Sequence, residues 1–168
     1  MGMQLSDFSQ SLKEIAPFKF ALDVPPKPHP AFGMYLLQIT PKCGLSWIKA
    51  IGHDVSTSGY GIELQSAFDS MEQKLKNSYG PCKRSDFLMV DSIWDEPKDW
   101  MMSLLKKERF LSSSWDTSSG ARLTEALESI YLFASAADTD TGYIGIEYTL
   151  KTGSQSDVEI SELQDDVL

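Results

Sequence analysis

The order of apolar and turn-forming segments predicts an α+β chain: a two-layer body in which two main helices pack on one face of a largely antiparallel sheet. Three observations carry this. Residues 33–40 with 45–52, and 129–136 with 143–150, are two pairs of β-rich runs joined by short turn-rich links, the pattern of antiparallel neighbours. Residues 61–78 repeat their apolar side chains at helical spacing. Helical and strand-like segments also fail to alternate as they would around a parallel sheet. One domain is expected over residues 1–152, since 168 residues with 42% hydrophobic content can bury a core of their own. An acidic, mobile tail is expected over 153–168.

Taken in order, Leu5, Phe8, Leu12 and Ile15 share one helical arc, which predicts a short helix over 5–15 stopped by Pro17. The run FKFALDV at 18–24 reads as a strand, and PPKPHP at 25–30 as a stiff, extended connector, because proline donates no ladder hydrogen bond. The hairpin 33–52 turns at Pro41-Lys42-Cys43-Gly44. After the polar break at 56–59, Leu64, Phe68, Met71 and Leu75 fall within about 60 degrees of arc, and Gly80-Pro81 ends that helix.

Residues 86–91 make a strand candidate. A second helix then starts where Asp95 offers a cap and Pro97 sits in the first turn. Its expected inward stripe is Trp100, Met101, Leu104, Leu105 and Leu111, leaving Met102 and Phe110 to find other neighbours. One or two helical turns are expected over 121–128, and Asp138 to Gly142 links the final hairpin. The apolar side of every amphipathic segment is expected to be consumed in the core.

Charge narrows the partners. The net charge is −9, and residues 153–168 hold Asp157, Glu159, Glu162, Asp165 and Asp166 without a lysine or arginine. Binding nucleic acid through phosphates needs clustered cations, so that class is discounted and a basic protein partner fits better. No run of 18 apolar residues occurs, so no membrane span is expected. A secretory leader is also not expected, and two cysteines suit a reducing compartment, so the expected location is the cytoplasm. The start Met1-Gly2-Met3 matches an acylation pattern, but no basic patch follows to support one acyl chain.

Catalytic chemistry finds little footing. Cys43, Cys82, His29 and His53 lack the paired spacing of structural zinc, and the Asp138-x-Asp140 loop has Tyr143 where a calcium loop needs glycine. Cys43 and His53 flank one extended strand and cannot meet. No phosphate-binding glycine motif is present. No cofactor and no metal are expected. What remains is Trp94 among carboxylates: Asp91, Trp94, Asp95, Glu96 and Asp99, with Trp115 beside Asp116, form the candidate partner-binding set. Tryptophan anchors interfaces and an acidic rim steers a basic partner, although closing the helix start as a staple is the more ordinary role for Trp94.

The expectation is therefore a non-enzymatic protein-binding module of the small acidic kind that includes bacterial immunity proteins, antitoxins and secretion chaperones. A small hydrolase with a carboxylate or cysteine site, and a homodimeric scaffold pairing through Met102 and Phe110, are the alternatives.

Overall fold

The computed structural model describes residues 3–8, 12–22 and 25–165; Met1 and Gly2, and with them the acylation pattern, lie outside the described residues. Strands β1 (Lys13–Ala16), β2 (Lys19–Leu22), β3 (Phe32–Thr40), β4 (Gly44–Gly52) and β5 (Val55–Ser56) precede helix α1 (Ile62–Tyr79). Then follow β6 (Lys83–Leu88), α2 (Trp100–Leu105), β7 (Arg109–Trp115), β8 (Leu127–Ala136), β9 (Thr141–Leu150) and α3 (Gly153–Asp165). All nine strands join one sheet in the order β1-β2-β3-β4-β9-β8-β7-β6, with β5 extending the pairing along β9. Every pair is antiparallel.

The register assigns the two faces. Tyr35, Leu37, Ile48, Ala50, Ile146, Tyr148, Ile130 and Leu132 are mutual partners across four strands and so share one side. Helices α1 and α2 pack on that side over β7, β8 and β9. Leu64, Phe68, Met71 and Leu75 of α1 are all buried, and each contributes about 1.5–3 kcal/mol by leaving water. Gly61, at φ 67°, precedes α1 in a left-handed conformation, and a Cβ there would overlap the Trp100 ring.

On the opposite side, α3 sits against the β3–β4 turn. Ser156 Oγ lies 2.9 Å from Ser46 Oγ and 3.3 Å from Gln38 Nε2, and both Glu159 oxygens accept from backbone, Lys42 N–H at 2.8 Å and Cys43 N–H at 3.2 Å. Burial pushes the Glu159 carboxyl up, but the Thr40 hydroxyl and these donors outweigh it and hold it below its ordinary value.

The α+β class and the mostly antiparallel sheet are as expected, as are both hairpins and α1. Several finer expectations are corrected. Among the described residues there is a third α-helix beside the two main ones, and this α3 occupies the face that the two-layer arrangement leaves bare. Residues 153–165 are a docked helix with Ser156 and Glu159 buried, where a mobile tail is expected. Residues 5–15 do not form a helix: Leu5–Asp7 is a 3-10 turn and Lys13–Ala16 pairs with β2 around Phe18, which adopts φ 62°, while 9–11 lie outside the described residues. The expected strand 18–24 is β2, with Asp23 and Val24 outside the described residues. The strand expected at 86–91 lies three residues earlier, at Lys83–Leu88. α2 stops at Leu105; Lys107 turns the chain at φ 59°, and Phe110 and Leu111 belong to β7. Residues 121–126 contain no helical turn.

Candidate functional site

Between β6 and α2 the chain makes an excursion that is tied at its base and exposed at its tip. Met89 N–H donates to Glu108 O at 2.7 Å, and the Ser92 hydroxyl donates to the Glu108 carboxylate at 2.5 Å. Asp91 reverses the chain at φ 67°, and Trp94 N–H donates to Ser92 Oγ at 3.2 Å. Pro97–Asp99 then forms a 3-10 turn, and Met101 N–H docks the start of α2 on Gly59 O at 2.9 Å. With both ends fixed, the intervening backbone has little freedom to fold its apolar side chains inward.

Those side chains stand in water. Val90 is 90% exposed and Ile93 75% exposed, and Met89 is exposed beside them. Asp91, Asp95 and Glu96 are exposed around this tip, whereas Trp94 and Asp99 are half-buried. The Lys98 ammonium, 2.8 Å from Glu96, holds that carboxyl below its ordinary value. Both partners are exposed, so water screens this pair and it adds little to stability. The apolar surface continues onto the sheet edge, where the Phe87 and Phe110 rings stack at 5.2 Å and both remain exposed.

The structure thus brings Asp91, Trp94, Asp95, Glu96 and Asp99 into one excursion. It separates Trp115 from them: that side chain is wholly buried in the core, and its indole N–H donates to Gly80 O at 3.0 Å. Trp115 is a packing residue and is withdrawn from the candidate set. Sequence reasoning missed Met89, Val90 and Ile93. The signal was present, since Asp91, Asp95 and Pro97 interrupt this stretch too closely for a buried strand.

Other chemical groups are engaged structurally. Glu72, buried in α1, accepts from Lys76 at 2.7 Å and from the Ser113 hydroxyl, with Arg84 at 3.4 Å. Burial raises the Glu72 carboxyl, but those partners outweigh it and leave it below its ordinary value. Burial and the Glu72 carboxylate together push the Cys82 thiol up, and burial with the Glu159 contact does the same for Cys43. Neither thiol has the lowered value that an attacking thiolate requires. Among the described residues, no three His, Cys, Asp or Glu side chains gather as a metal-binding set, and no helix is long and apolar enough to cross a membrane. No family model matches this chain, and no curated protein or solved structure is significantly similar to it.

Proposed function

We propose that this chain is a non-enzymatic protein-binding module that grips a basic partner through residues 89–96. The observation that carries the reading is the exposure of Val90 and Ile93 on a loop fastened at both ends. Covering each of them on binding would contribute about 1.5–3 kcal/mol. A fixed loop surrenders little further freedom on association. Asp91, Asp95 and Glu96 supply the sign: cations on the partner meet an acidic rim around an apolar tip. Small size and an acidic surface support a role like that of small acidic immunity proteins, antitoxins and secretion chaperones of the bacterial cytoplasm. The raised Cys82 and Cys43 thiols weigh against the cysteine-hydrolase alternative.

The test is a photoreactive amino acid at position 93, irradiated in the native cell. The expected product is one dominant adduct to a protein with a basic surface, abolished by Val90→Asp and weakened by salt. Adducts that survive Val90→Asp unchanged would refute the reading. Self-association through the exposed Phe87–Phe110 stack is the second reading. It predicts a mass that doubles with concentration in light scattering and reverts with Phe110→Ser.

A further inference from the structure

The helical layer is narrower than the sheet beneath it. α1 and α2 lie over β7, β8 and β9, whereas the same face of β2, β3 and β4 carries a second apolar cluster, Phe20, Leu22, Leu37, Ile39 and Leu45, against which, among the described residues, Phe8, Leu12 and neighbouring sheet residues pack. Two cavities of about 350 Å³ each remain along this seam, and Lys27, Tyr35 and Tyr148 line both, so they adjoin. Each falls within the range of about 300–1,000 Å³ typical of ligand pockets. The expectation that all apolar faces are consumed in the core fails here.

The two ends differ in chemistry. One cavity lies between α1, the sheet and the 25–30 connector, and gathers Lys27, His29, Lys74, Ser78, Tyr79 and Tyr148 above a floor of Ala50 and Ile146. The other is walled by Leu22, Leu37, Leu45, Ile48 and Leu127 beneath Pro25 and Pro26. Among the described residues, no carboxylate lines either cavity. Among the described residues Lys27 and Lys74 make no ion pair, so both ammonium groups are free to meet an anion.

The remaining polar groups are arranged to donate. His29 Nδ1 accepts from Ala31 N–H at 3.1 Å, which leaves the ring proton on Nε2. Burial, and then the Lys74 charge, hold that imidazole below its ordinary value, so it is neutral at neutral pH. Tyr35 Oη accepts from His29 N–H at 3.3 Å. Burial, with Tyr79 and Tyr35 nearby, raises the Tyr148 hydroxyl to about 12, so it stays protonated.

We propose that this groove binds a single-chain amphiphile with an anionic head: the carboxylate or phosphate rests among Lys27, Lys74 and His29, and the alkyl chain lies along Leu22, Leu37 and Ile48. A cationic head would meet two ammonium groups with no counter-charge among the described lining residues, and a wholly apolar ligand would leave the donors unmatched. The site is separate from the 89–96 loop and does not depend on it.

Isothermal titration calorimetry of the full chain tests this with decanoate, octanoate, decyl phosphate, decanol and acetate, all kept below the concentrations at which they self-associate. Decanoate and decyl phosphate are expected to bind, and the better of the two identifies the head group. Each methylene removed weakens binding about fourfold, the equivalent of about 0.8 kcal/mol per buried CH₂. Decanol is expected to bind at least tenfold more weakly. Lys27 and Lys74 are exposed, so Lys27→Glu with Lys74→Glu leaves the fold intact and should weaken decanoate by about tenfold or more. Absence of heat with both anions at two well-separated temperatures, acetate binding as tightly as decanoate, or affinity untouched by the double charge reversal would each overturn the proposal.

Discussion

Replacing Glu159 with alanine tests how α3 is held. The Glu159 side chain is 3% exposed and receives two backbone donors from the β3–β4 turn. A hydrogen bond to a charged group contributes about 1.5–3 kcal/mol. Lys42 is exposed and Cys43 half-buried, so water replaces part of what is lost, and the net loss is about 2 kcal/mol. Because α3 is held against β3 and β4 near the end of the described chain, this loss should appear as local opening. Hydrogen exchange in α3 should then quicken about 30-fold, the equivalent of about 2 kcal/mol, while β8 and β9 amides stay unchanged. Glu159→Gln keeps one acceptor and should give about half the effect in free energy.

The pH dependence carries a definite sign. The folded carboxyl lies below its ordinary value, so its contribution is complete above the unfolded value of about 4.3 and is lost as pH falls through the folded one. Equal α3 exchange in wild type and Glu159→Ala, or a uniform acceleration throughout the sheet, would refute this account of docking.

Three further outcomes are expected. Glu72→Ala leaves the wholly buried Ser113 hydroxyl and the partly exposed Arg84 and Lys76 without their shared carboxylate, and should cost about 2–3 kcal/mol in urea unfolding. Glu72→Gln removes one of the two causes that raise the Cys82 thiol, so Cys82 should react faster with a disulfide reagent at mildly alkaline pH. Gly61→Ala forces a left-handed residue and drives a methyl into the Trp100 ring; at least about 1–2 kcal/mol of lost stability and a red-shifted tryptophan emission are expected.

Much of this architecture is legible in the sequence where one periodicity dominates. α1 and the hairpins β3–β4 and β8–β9 each place large apolar residues at regular intervals, and the structure follows them. β7 was illegible because its inward face is Leu111, Ser113 and Trp115: serine hides the period of two, while Leu111 falls by coincidence one heptad beyond Leu104. The left-handed turn at Lys107 that separates α2 from β7 has no glycine to announce it.

α3 was illegible for a different reason. Its buried face is Gly153, Ser156 and Glu159, so it docks through hydrogen bonds and carries almost no hydrophobic signal. Around residues 89–96 the carboxylates and Trp94 are legible in sequence, whereas the exposure of Val90 and Ile93 is legible only through the spacing of Asp91, Asp95 and Pro97, because β-branched residues on their own favour a strand. Trp115 was misplaced for the converse reason: a Ser/Thr-rich neighbourhood looks like a surface link, yet small serines are what let a tryptophan be enclosed.

The measurement that bears most directly on the proposed docking surface is a titration of the photocaptured partner, once purified, against wild type and Val90→Ser with Ile93→Ser. Both positions are exposed, so folding is preserved, and loss of two covered aliphatic side chains predicts at least a hundredfold weaker binding, from about 1.5–3 kcal/mol each. Affinity within a factor of about three of wild type, less than about 1 kcal/mol, would contradict the claim that the loop tip is the docking surface.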